Sequence, residues 1–157
     1  MVIMNLQESI RRIIREETEQ TNNSYTLYVD MGGVLFKKMG ADEGGSGDET
    51  DYIGGELWEG IKKYNPTILS STGTKDIDDA KDTKRKQVKD YLNPIPPIVF
   101  VTSGKDKGIK YGNENSILID DSQTNIDSWV GNDGIGIKHS SDNVGKTLSK
   151  LKQLYEY

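Results

Sequence analysis

The sequence predicts an α/β protein, a three-layer α/β/α sandwich around a five-stranded parallel sheet with no folded cap domain. Three observations lead there. Five short apolar runs (residues 25–30, 66–70, 98–102, 116–120 and 134–137) alternate with segments of helical character, the pattern of parallel strands joined by helical crossovers. The runs are close to continuously apolar, as strands covered on both faces are. Acidic or hydroxyl residues end the first, second and fourth runs, and lysines follow the third. In open α/β sheets, ligands gather at that carboxyl edge.

The elements follow in order. Residues 5–19 (NLQESIRRIIREETE) place Leu6, Ile10, Ile13 and Ile14 on one stripe at the 3.6-residue period, with Arg11, Arg12, Arg15 and Glu16 opposite. Residues 1–22 therefore read as an amphipathic helix preceding the main domain at 23–157. It either packs on the domain's own sheet or docks a protein partner or a second copy of the chain. Residues 25–30 form the first strand, ending in Asp30 and turning over Gly32 and Gly33. Residues 37–54 are a Gly-rich, acidic loop that has too few apolar residues to bury a core. Its place over the first strand end makes it a candidate lid. Its acids, Asp42, Glu43, Asp48, Glu49 and Asp51, do not have the spacing of an EF-hand loop.

Residues 55–64 read as a short helix with Leu57, Trp58 and Ile61 inward. The second strand ends in Ser70, Ser71, Thr72 and Gly73. That cluster reads equally as a phosphate cradle or as an ordinary strand-to-helix turn capped by Thr72 or Thr74. Residues 75–92 are polar and largely helical, with Ile77, Ala80, Val88, Tyr91 and Leu92 as the apolar positions, and three prolines close the segment. Within it, Lys84–Arg85–Lys86 reads as a solvated helix face or, together with Lys105, Lys107 and Lys110, as a local basic patch. The third strand, IVFVT, is fully apolar and so is expected to be central or well covered. Lys105, Lys107 and Lys110 follow it. The fourth strand, residues 116–120, ends in Asp120 and Asp121, and a helix over 123–130 starts from Ser122 as its cap. A short fifth strand and an amphipathic helix over 143–155, with Val144, Leu148, Leu151 and Leu154 on one face, complete the chain.

Composition narrows the function classes. The formal net charge of −5 supplies no basic field to draw nucleic acid from a distance. Cysteine is absent, which excludes disulfides, thiolate metal sites and cysteine nucleophiles and fits a cytoplasmic location. No apolar run is long enough to span a bilayer, and residues 1–17 are too charged for a signal peptide. His139, the single histidine, is expected to be structural, and Trp58 and Trp129 to be core residues.

The stretch Asp30-Met31-Gly32-Gly33-Val34-Leu35, the hydroxyl of Ser70, a lysine before the fourth strand and the run ILIDDSQTNIDSW…GIGIKH (residues 117–139) together resemble the haloacid dehalogenase (HAD) superfamily. The resemblance covers residues 25–139, and the last run is its most specific part. Asn125, Trp129 and His139 fall in the pattern of small phage and bacterial members similar to 5′(3′)-deoxyribonucleotidases and polynucleotide phosphatases. It implies a magnesium-dependent phosphatase acting on a phosphomonoester, a nucleotide or nucleic-acid end. Asp30 would be the nucleophile, with Ser70 and Lys107 (or Lys105) holding phosphoryl oxygens. Gly33, Ser71, Thr72 and Lys105 would line the substrate. Asp30, the Gly32 carbonyl, Asp120 and Asp121 would hold Mg2+. A site without a cap suits a large substrate, whereas the acidic loop disfavours nucleic acid.

The sequence departs from the family at Gly32, where the resemblance calls for an aspartate serving as general acid and base. General acid–base catalysis contributes roughly 10²–10⁴-fold, so turnover is expected to be impaired or lost. The contrasting expectation is a non-catalytic scaffold docking a partner through its first helix. A phosphoacceptor receiver domain uses similar residues, but it would carry its acidic pair on the first strand.

Overall fold

The computed structural model describes residues 25–37 and 52–156. The expected first helix and most of the acidic loop lie outside the described residues. Five strands, β1 (Thr26–Val29), β2 (Thr67–Ser71), β3 (Ile98–Val101), β4 (Ser116–Asp120) and β5 (Ile135–Lys138), form one parallel sheet in the order β3-β2-β1-β4-β5. Five helices connect or flank them: α1 (Gly55–Ile61), α2 (Ile77–Tyr91), α3 (Gly104–Tyr111), α4 (Gln123–Gly131) and α5 (Val144–Tyr155). A 3₁₀ turn, Lys62–Tyr64, extends α1 and ends at Asn65 in a left-handed conformation.

Strand periodicity explains the layers. Along β4, Ile117 and Ile119 face a core with Leu27, Val29, Leu57, Trp58, Ile61, Val88 and Leu151, while Leu118 faces Leu69, Val101, Ile126 and Trp129 on the other side. All five residues of β4 are buried. Helices α1, α2 and α5 thus contribute to one apolar layer and α4 to the opposite one. The two tryptophans are core residues as expected, and each buried indole N–H has a partner: Trp58 Nε1 donates to Asn93 O (3.2 Å) and Trp129 Nε1 to Ser116 O (3.3 Å).

The register fixes where chemistry gathers. Thr26 lies opposite Ser116, Val29 opposite Ile119, and Asp120 opposite Lys138. Asp30 continues the ladder, its N–H donating to Ile119 O at 3.0 Å. The chain winds outward in one direction from β1 to β3 and in the other from β4 to β5, so β1 and β4 flank the point where the strand order reverses. Open sheets bind ligands outside the strand ends at that point. The receiver-domain order, 2-1-3-4-5, is different.

Two expectations need correction. The third strand is not central: β3 is an edge, and three of its four residues are only half-buried. A continuous apolar run cannot distinguish an edge shielded by long side chains from an interior strand. Here the charged ends of Arg85 and Lys81 lie over the Phe100 ring, 5.2 and 5.7 Å from its centroid. Ile77, expected among the apolar positions of its helix, is exposed in the first turn of α2.

Candidate active site

The turn after β1 is tied to one acceptor. Met31 O receives the N–H groups of Val34 (3.2 Å), Leu35 (3.0 Å) and Phe36 (2.9 Å), while the Gly33 N–H donates to Phe36 O at 2.7 Å. Gly33 has φ +82°, and a Cβ there would lie 2.2 Å from Asp121 Oδ2. The position needs glycine both for its backbone conformation and for the approach of a carboxylate. Gly32 differs, since a Cβ there would meet nothing within 4 Å.

Asp30, Asp120 and Asp121 converge at this edge, each offering an oxygen within 4.8 Å of the others. Lys107, carried by α3 directly after β3, joins two of them. Its Nζ donates to Asp30 Oδ1 at 2.8 Å and to Asp120 Oδ2 at 2.9 Å, and the side chain is 1% exposed. Asp120 Oδ2 also accepts from Asn125 Nδ2 (3.1 Å), and its Oδ1 from the Ser122 N–H (3.0 Å). The start of α4 that supplies both donors is capped by Ser122, whose side chain accepts from the Asn125 N–H. Asn125 reaches Asp120 past Gly104, where a Cβ would lie 2.2 Å from Asn125 Oδ1.

The electrostatics follow from this arrangement. Burial pushes the Asp30 carboxyl up to about 7, with Asp120 and Asp121 adding to the rise and Lys107 opposing it. Burial would also raise Asp120, but Lys107, the Ser122 N–H and Asn125 outweigh it and hold Asp120 below the ordinary carboxylate value. Burial would lower Lys107, but Asp30 and Asp120 keep it above the usual lysine value. The centre thus holds one readily protonated carboxyl and one firmly ionised carboxylate around a fixed ammonium.

Lys107, not Lys105, occupies the centre. The side chain of Lys105 is solvent-facing, and its backbone carbonyl accepts from Ser128 Oγ. Ser70 is buried at the end of β2. Thr72 Oγ1 donates to the Gly73 carbonyl at 2.9 Å, and no hydrogen bond among the described residues joins Ser71 or Thr72 to the carboxylates. The hydroxyl cluster is thus resolved into one buried member, Ser70, and an outer turn. His139 is buried as expected. Its Nδ1 pairs with Thr147 Oγ1 at 2.7 Å, its backbone N–H donates to the Asp120 carbonyl at 2.9 Å, and burial lowers its pKa. It ties the end of β5 to α5 beneath the acidic pair.

One residue escaped the sequence reading. Lys84, assigned above to a solvated face, is half-buried and donates to Ser70 Oγ at 2.8 Å. Arg85 and Lys86 are exposed, so the solvated reading holds for them. A signal for Lys84 was present: it falls in register with Ile77, Ala80, Val88 and Tyr91, the stripe that also carries the buried Val88.

The donor set can be tested against a metal. Three carboxylates offer only oxygen, the donor that hard divalent cations prefer. Asp30, Asp120 and Asp121 therefore fit Mg2+ chemically. Among the described residues no helix is long and apolar enough to cross a membrane. No protein-family model and no curated protein matches the chain. Among solved structures the chain is similar to an uncharacterized protein from Corynebacterium glutamicum, at 17% identity over 85% of this chain and 96% of that one, with a TM-score of 0.48.

Proposed function

We propose that the chain is a HAD-like, magnesium-dependent phosphohydrolase scaffold that binds a phosphomonoester, a nucleotide or nucleic-acid end, and turns it over slowly or not at all. The observation that carries this reading is the Lys107 ammonium bridging Asp30 and Asp120, with Asp121 beside them. A buried cation shared by two strand-end carboxylates keeps them together without discharging all their negative charge, and the remaining oxygens suit a divalent ion.

In this reading Lys107 occupies Asp30 Oδ1 and leaves Oδ2 to attack phosphorus. An Asp30–phosphorus bond forms as the bond to the leaving oxygen breaks. Water then attacks the same phosphorus, releasing inorganic phosphate and restoring the Asp30 carboxylate. Ser70 donates its hydroxyl proton to a phosphoryl oxygen. Mg2+, held by Asp30, the Gly32 carbonyl, Asp120 and Asp121, would offset the charge of the approaching groups. Both half-reactions need a proton carrier at the leaving oxygen and the attacking water, and Gly32 has no side chain to be one. That absence favours the second reading, a scaffold that binds without turnover.

The test is a magnesium-dependent phosphatase assay on nucleotides and on 3′- and 5′-phosphorylated oligonucleotides, with this chain and with Gly32→Asp. A Cβ at position 32 meets no atom within 4 Å, so the aspartate has room. Activity rising roughly 10²–10⁴-fold in the variant is the expected result. Inactivity of both proteins, together with no magnesium binding by either, would sink the phosphohydrolase reading.

A further inference from the structure

Two buried or half-buried lysines reach the carboxyl edge of the sheet, and they differ in what they hold. Lys107 is engaged by two carboxylates at 2.8 and 2.9 Å. Lys84 has, among the described residues, a single hydrogen bond, to the neutral hydroxyl of Ser70 at 2.8 Å. Both Asp30 and Lys107 act on Lys84 electrostatically: burial lowers its pKa, Asp30 raises it and Lys107 lowers it further. Lys84 therefore stands within the field of the active centre while forming no ion pair there among the described residues.

The charge balance gives this a consequence. Three carboxylates against Lys84 and Lys107 leave one formal negative charge. A divalent cation converts that to one positive charge, matched to an incoming phosphoryl dianion. Without Lys84 the metal-loaded centre would be neutral. Ser70 Oγ accepts from Lys84, which aims the hydroxyl proton away from the ammonium and leaves it for another acceptor.

We propose that Lys84 and Ser70 form an anion subsite in which the ammonium and the hydroxyl both donate to non-bridging oxygens of the bound phosphoryl group. This rests on the phosphohydrolase reading and assigns that site a second ligand lysine. A purely structural alternative makes Lys84 a strut fastening α2 to the end of β2. The two differ in what they need from residue 84. A strut needs a donor to Ser70, which glutamine also supplies. An anion subsite needs the positive charge.

The experiment is calorimetric titration of inorganic phosphate into the full chain at saturating magnesium, for the parent, Lys84→Gln and Lys84→Arg, with a magnesium titration of each. Lys84→Gln should weaken phosphate binding roughly 10–100-fold, the worth of a charge-assisted hydrogen bond. Lys84→Arg should recover most of it. Magnesium should bind Lys84→Gln at least as tightly as the parent, because a cation near Asp30 has gone. Unchanged phosphate affinity in Lys84→Gln, with the parent binding phosphate, would overturn the subsite and leave the phosphohydrolase reading standing. Parallel loss of magnesium and phosphate affinity would overturn it too, because removing an anion contact alone leaves the metal site intact. A parent that binds no phosphate at saturating magnesium would remove the reading beneath it.

Discussion

Asp30→Asn isolates the cost of ionising the buried Asp30 carboxyl. Burial and the neighbouring Asp120 and Asp121 hold the Asp30 carboxyl at about 7 against an ordinary value of 3.8, with Lys107 only partly opposing them. Between those two values the unfolded chain carries an ionised Asp30 and the folded chain a protonated one. The folded state then binds more protons, so its stability falls as pH rises through the window. Asparagine mimics the protonated form and does not titrate. The informative quantity is the change with pH. With the two pKa values above, linkage gives a stability difference between variant and parent that grows by roughly 2–3 kcal/mol from pH 5 to pH 8. Urea unfolding in EDTA across that range measures it, and each other titrating group largely cancels between the two proteins. A difference that stays flat, or shrinks as pH rises, refutes the account. Repeating the series in magnesium should flatten the rise, since a cation on Asp30 favours its ionised form.

Two further outcomes follow from the geometry. Lys107→Met removes the one cation shared by Asp30 and Asp120 and should cost about 3 kcal/mol of stability at neutral pH, the penalty of leaving buried charge unpaired; a loss under about 1 kcal/mol by urea unfolding would contradict the bridging role. Gly33→Ala and Gly32→Ala form a matched pair. The first should destabilise by at least about 1–2 kcal/mol, from its φ of +82° and its clash with Asp121, and weaken magnesium binding, whereas the second should leave stability within about 0.5 kcal/mol. Equal effects would remove the special role given to Gly33.

Much of this fold was legible because its signals are local. An apolar run ending in a carboxylate places both the strand and its functional end, as at Val29–Asp30 and across β4. The Ser122 cap marks the start of α4 to the residue. Sheet position was not legible. The third run is as apolar as an interior strand, yet it forms an edge, where the charged ends of Lys81 and Arg85 on the preceding helix lie over Phe100. The hydroxyl cluster after β2 was ambiguous for a similar reason. Composition made three neighbouring hydroxyls equivalent, but Ser70 is buried within β2 whereas Ser71, its last residue, and Thr72, beyond it, are half-buried.

The two lysines show how a charged residue on a helix can be read. Lys107 stands in register with Gly104, Gly108 and Tyr111, and Lys84 with Ala80, Val88 and Tyr91. Each occupies an inward position of its helix, where an apolar side chain would normally be expected. Placing an ammonium on such a face costs desolvation unless it meets an acceptor, and the burial-driven fall of the Lys84 pKa is that cost made visible. Lys107 offsets it fully with two carboxylates. Lys84 offsets it with a neutral hydroxyl and the more distant field of Asp30, which is the weaker compensation. A half-buried cation held this way stabilises the fold less than an apolar side chain of similar length would. A charge that arrives with the ligand would supply the compensation that the fold does not, and Lys84→Gln separates the two. On the strut account the glutamine variant should bind phosphate like the parent, whereas on the subsite account it should be at least as stable and bind phosphate poorly.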